Sequence, residues 1–81
     1  MYNILIENDA KKFLKRLPHQ ESEMILRKIY ELKENPFRYL KKLVGNKLWR
    51  LRIAKYRAII DVVVSRNKIV VLKIGQRKNV Y

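Results

Sequence analysis

After Gly45-Asn46 the spacing of apolar residues changes from a helical period to alternation, and this change narrows the folds open to the chain. Before it, Ala10, Phe13, Leu14 and Leu17 fall at i, i+3, i+4 and i+7, the stripe of an amphipathic helix. Asn8 or Asp9 offers its N-cap, and Pro18 ends it because the residue before a proline is pushed out of the α region. Ile25, Ile29 and Leu32, flanked by Met24 and Leu26, mark the buried face of a second helix from about Gln20 to Glu34, closed by Asn35-Pro36. The two helices form an αα-hairpin, preceded by a strand over Tyr2–Ile6. Beyond a basic connector at 37–45, Trp49, Leu51 and Ile53 share one face of a strand. Tyr56–Val64 and Lys68–Ile74 make two more, with Ser65-Arg66-Asn67 as the turn between them. The order is β-α-α-β-β-β, an α+β chain whose helical hairpin packs on a small, mostly antiparallel sheet. Eighty-one residues leave no room for a second core, so 1–81 is expected to form a single domain.

The period-2 pattern also says what lies on the face away from the helices. If Trp49, Leu51 and Ile53 are in the core, Arg50 and Arg52 project outward. With Ala58, Ile60, Val62 and Val64 inward, Arg57 and Asp61 face out. With Val70, Leu72 and Ile74 inward, Lys73 and, past Gly75, Arg77 join them. Thirteen of the twenty Lys and Arg lie after Pro36, against the single acidic residue Asp61 there. A basic excess confined to one half of a small domain is the electrostatic footprint of a polyanion-binding face. Lys41 and Lys42 are read as a general electrostatic skirt around it.

Other functions are disfavoured by what the chain contains. It has no Cys and one His, so thiolate chemistry is excluded and its scattered carboxylates suggest no metal site or cofactor. His19, after Pro18, reads as a surface residue. No apolar run approaches the ~20 residues of a membrane span, and Asn3, Glu7 and Asp9 interrupt any hydrophobic leader, so a cytoplasmic protein without membrane association is expected. A net charge of +13 repels itself, which an acidic partner would relieve.

The element order, Trp49-Arg50-Leu51-Arg52-Ile53 and Tyr56-Arg57-Ala58-Ile59-Ile60 together resemble the RelE/ParE toxin superfamily, and more closely its RelE branch. The closing Ile74-Gly75-Gln76-Arg77-Lys78-Asn79-Val80-Tyr81 is similar to that family's Gly-x-Arg…Val-Tyr signature. The resemblance spans nearly the whole chain. It implies a toxin that cuts messenger RNA in the ribosomal decoding site and is held inactive by an acidic RelB-like antitoxin from the same operon. The implied reaction is attack of a ribose 2′-hydroxyl on the adjacent phosphate, which leaves a cyclic phosphate and a free 5′-hydroxyl. By the same resemblance Arg57 stabilises the transition-state phosphate, Arg77 protonates the leaving oxygen, and Tyr81 stacks on or orients a base. Arg50 and Arg52 match basic residues, commonly lysines, that bind phosphate. Lys73 and Lys47 complete the expected RNA-binding set.

The Lys-to-Arg difference has a chemical consequence. An arginine keeps its proton up to a pKa above ~12, so Arg50 and Arg52 are poor general bases. Cleavage is therefore expected to depend on the ribosome to position the RNA. Two other classes fit part of the pattern: a ParE-like toxin that poisons DNA gyrase without catalysis, and a non-catalytic nucleic-acid-binding module. Arg57, Arg77 and Tyr81 together favour the ribonuclease over both.

Overall fold

A computed structural model describes residues 1–78. Its elements are β1 (Asn3–Ile6), α1 (Asn8–Arg16), α2 (His19–Tyr30), β2 (Lys41–Lys42), β3 (Trp49–Ile53), β4 (Tyr56–Val63) and β5 (Lys68–Gln76). The strands form one five-stranded sheet in the order β1-β5-β4-β3-β2. Its β1–β5 pair is parallel and the other three pairs are antiparallel. The expected α+β architecture is thus observed, with the terminal three strands as a meander. The strand β2 was not expected, because two lysines carry no alternating apolar signal.

The helical hairpin follows from its sequence. Leu17 is extended, with ψ 154°, as the residue before Pro18 must be, and Pro18 then occupies the N-cap of α2. The N-cap of α1 is Glu7 rather than Asn8 or Asp9, and it makes no side-chain capping bond. Instead its backbone N–H donates to the Val71 carbonyl at 2.9 Å, so tertiary pairing with β5 sets where the helix starts. Helix α2 stops at Tyr30, short of Glu34, and continues as a 3₁₀ turn over Glu31–Lys33 that still buries Leu32. A second 3₁₀ turn, Pro36–Arg38, leads into β2.

One core cluster lies between helices and sheet. It takes Ala10 and Leu14 from α1, Ile25 and Ile29 from α2, and Leu51, Ile53, Tyr56, Ala58, Ile60, Ile69, Val71 and Ile74 from the sheet. Each fully buried aliphatic contributes about 1.5–3 kcal/mol relative to an exposed one. Trp49 is half-buried against this cluster, with its ring centroid 5.1 Å from that of Phe37. Tyr56 is the largest fully buried side chain and donates a hydrogen bond to Glu21 on α2. That partly buried bond satisfies its hydroxyl at the edge of the core, where Lys55 also approaches Glu21 at 3.8 Å.

The expected inward set on β5 needs correction. Ile59 pairs with Lys73 but Ile60 pairs with Val71, so Leu72 is an extra residue in the ladder. This bulge shifts the phase of β5 by one residue. Ile69 and Val71 therefore enter the core, while Val70 and Leu72 are only half-buried; Ile74, beyond the bulge, is inward as expected. Val64 also leaves the expected core. It opens a 3₁₀ turn, Val64–Arg66, and is 59% exposed. Asn67 closes that turn at φ 49°, in a region that Asn tolerates better than most residues.

Candidate nucleic-acid interface

The open face of the sheet is built from two cross-strand rows. In the first, Arg52 on β3 pairs directly with Arg57 on β4, and Arg57 pairs with Gly75 on β5. In the second, Lys41 on β2 pairs with Arg50, Arg50 with Ile59, and Ile59 with Lys73. Like charges directly opposite one another destabilise a sheet. Arg52 opposite Arg57 is one such pair, and Arg50 and Arg57 are each held by a further interaction. Ile59 is buried on this face, outside the main core cluster. Asp61 lies opposite Val70, two positions along β4 from Ile59 and away from the Arg52–Arg57 pair.

Three depressions run along this face and share residues. A cleft of about 440 Å³ is lined by Lys55, Arg57, Gln76, Arg77 and Lys78. A small one of about 80 Å³ is lined by Tyr39, Lys41, Arg50, Arg52 and Arg57. The third, of about 380 Å³, is lined by Lys42, Leu43, Val44, Asn46 and Arg50. Arg57 borders the first two and Arg50 the last two, so these arginines stand between neighbouring depressions, which together are termed the groove. Among the described residues, no Asp or Glu lines any of them.

The backbone fixes the groove's ends. The Arg77 N–H donates to the Lys55 carbonyl at 3.0 Å, holding the end of β5 against the β3–β4 turn. At the other end, the Leu43 N–H donates to the Leu48 carbonyl at 3.0 Å, and Asn46 Oδ1 accepts from the Leu48 N–H at 3.0 Å. Gly45, with φ +68°, makes that β2–β3 loop possible.

The structure thus brings Arg50, Arg52, Arg57 and Arg77 together on one groove. Lys73 is exposed on the same face in the Arg50 row, and Lys47 is exposed in the β2–β3 loop away from the lining. Tyr81 lies outside the described residues. Lys41, read as part of a general skirt, is a lining residue paired with Arg50, and Tyr39, Lys55 and Lys78 were missed. Phe37, Tyr39, Leu40, Leu43 and Val44 scatter apolar residues through the connector, so no local signal singled out Leu40 as its buried anchor. His19 sits far out on α2, 3.2 Å from Glu23, as a surface residue should.

Such a groove can hold successive phosphates and stabilise extra negative charge on one of them. Its described lining contains no His, Asp or Glu to act as a general base. The family model described as "ParE toxin of type II toxin-antitoxin system, parDE" matches residues 4–81. The chain belongs to this toxin family. Comparison with curated proteins finds no match. Among solved structures, the toxin resembles the RelE–RelB complex of Pyrococcus horikoshii OT3 at 27% identity and a TM-score of 0.83, covering 96% of this chain and 97% of that one. It resembles the RelB–RelE complex of Methanococcus jannaschii at 25% identity and a TM-score of 0.73, covering 95% and 94%. The RelBE2 toxin–antitoxin complex of Mycobacterium tuberculosis matches in fold, with a TM-score of 0.85 at 20% identity over 94% and 98% of the two chains. The protein is a toxin of a type II toxin–antitoxin system, of the RelE/ParE superfamily. Among the described residues, no helix is long and apolar enough to cross a membrane.

Proposed function

We propose that the toxin is a ribosome-dependent messenger-RNA endoribonuclease, working in the cytoplasm as one domain and restrained by an acidic RelB-like antitoxin. The observation that carries this reading is the position of Arg57, which lines both the cleft of Arg77 and the depression of Arg50 and Arg52. A phosphate at Arg57 would have arginines on both sides along the groove. In the reaction, a ribose 2′-hydroxyl gives up its proton to water, its oxygen forms a bond to the adjacent phosphorus, and the bond to the 5′-oxygen breaks. Water returns a proton to Arg77 after it has protonated the leaving oxygen. The products are a cyclic phosphate and a 5′-hydroxyl. Arg57 stabilises the charge of the phosphorane, Arg77 supplies the proton to the leaving oxygen, and Arg50 and Arg52 hold the neighbouring phosphates. Tyr81 orients a base, and Lys73 and Lys47 add attraction at a distance. With no good base in the described lining, the ribosome provides the alignment that brings the 2′-oxygen in line.

The antitoxin reading is supported by the Pyrococcus, Methanococcus and Mycobacterium relatives, each solved as a toxin–antitoxin complex. Charge complementarity supports it too, since a chain of net charge +13 favours an acidic binder. The match to the ParE toxin family favours a second reading, a gyrase-directed toxin without catalysis.

Cleavage of a defined message on programmed ribosomes, beside the same message free in buffer, separates these readings. Cuts on the ribosome but not in buffer are expected. Robust cleavage of naked RNA would refute ribosome dependence, and growth arrest without any RNA cleavage would select the gyrase-directed reading.

A further inference from the structure

The middle depression contains an aromatic ring that the reaction above leaves unused. Tyr39 lines it beside Lys41, Arg50, Arg52 and Arg57, and the residue is 44% exposed. Among the described residues lining the three depressions, it is the only aromatic one. Its exposure does not come from a loose segment. The N–H groups of Tyr39 and Leu40 both donate to the Pro36 carbonyl at 3.2 Å. Pro36 and Leu40 are buried on either side of it, and Lys41 enters the sheet opposite Arg50. The backbone is clamped at both ends while the ring is left at the groove. Phe37, the other exposed aromatic of this segment, is instead engaged with Trp49 at 5.1 Å.

Resting on the RNA-groove reading above, we infer that Tyr39 is a stacking platform for a nucleobase of the single strand whose phosphates lie on Arg50, Arg52 and Arg57. Guanidinium and ammonium groups neutralise phosphates, but phosphate contacts alone leave the bases of a single strand in water. Proteins that hold single strands pair a positive groove with aromatic faces, because every base has a π-face and stacking tolerates any sequence. Tyr39 offers such a face within the row of cations. The Arg38 guanidinium lies over the ring, 5.7 Å from its centroid, so a base would stack on the opposite face. The lining favours RNA over a protein segment, because eight of its described residues are Lys or Arg and none of them is acidic. This platform is separate from the role given to Tyr81.

The test is equilibrium binding, without cleavage, of two probes of equal length: a short 2′-O-methylated oligoadenylate, and its abasic analogue carrying the same phosphates. Wild-type protein should bind the base-bearing probe more tightly. Tyr39→Ala and Tyr39→Leu should each weaken that binding by about 5- to 100-fold and leave the abasic probe unaffected. Tyr39→Phe, which keeps the ring, should bind like wild type. Thermal melts identify any variant that fails to fold, and the Leu variant carries the test if the Ala variant does. Equal losses on both probes, or wild-type binding by Tyr39→Leu, would overturn the stacking role while leaving the groove reading intact. Failure of wild-type protein to bind either probe would overturn both. Unchanged RNA binding with weakened capture of the co-expressed antitoxin would assign Tyr39 to the protein interface instead.

Discussion

The Arg77 N–H and the Lys55 carbonyl meet at 3.0 Å, so the arginine beyond β5 is positioned by its main chain rather than by its side chain. Replacing Arg77 by Ala preserves this hydrogen bond and should leave the melting temperature nearly unchanged. Cleavage on programmed ribosomes should nevertheless fall by ~10²–10³-fold, and a substrate with a better 5′ leaving group should recover part of it. Arg57→Ala should lose a similar factor with little loss of ribosome binding. Full activity in the Arg57 variant would remove it from the site.

The β3–β4 turn is strained at one position. Ala54 has φ 51°, where a Cβ crowds the following carbonyl. Ala54→Gly relieves this but gives the unfolded chain more freedom. The net expectation is a stabilisation of about 0.5–1 kcal/mol, read by denaturant titration. A loss of stability would mean that the turn tolerates the alanine without strain.

Tyr56 makes stability depend on pH at the alkaline end. The hydrogen bond it donates to Glu21 raises its pKa above the usual 10.0, followed by burial and then by repulsion from the same carboxylate. A folded-state pKa above the unfolded one gives a contribution that is complete below about pH 10 and is lost as pH rises through the folded value. Tyr56→Phe should cost about 1 kcal/mol at neutral pH and flatten this part of the alkaline decline. Urea titrations of both proteins from pH 7 to 11 would measure it. An identical alkaline decline in the variant would show that another group is responsible.

The bulge at Leu72 makes neighbouring residues unequal. Val71→Ala should destabilise by about 2 kcal/mol because Val71 is fully buried, whereas Leu72→Ala should cost less than ~1 kcal/mol although it removes more atoms. Thermal melts of the pair decide this. The reverse order would place Leu72 in the core and remove the bulge.

Helix periodicity, Pro18 and the alternation of Trp49, Leu51 and Ile53 made the element order and the outward Arg50, Arg52 and Arg57 legible from sequence. These are local properties: which way a side chain points from a strand or helix follows from backbone period alone. The inward set of β5 was not legible, because Ile69-Val70-Val71-Leu72 is apolar at every position and satisfies either phase. Pairing with β4 chose the phase, and one unpaired residue changed it. The strand β2 and the groove position of Lys41 and Tyr39 were also invisible, since two lysines become a strand only when β3 supplies the ladder hydrogen bonds. The sequence by itself determined the class of fold, the polarity of its two faces and the family of its motifs. Tertiary structure decided register, because pairing and burial between residues far apart in the chain carry the free energy that selects it.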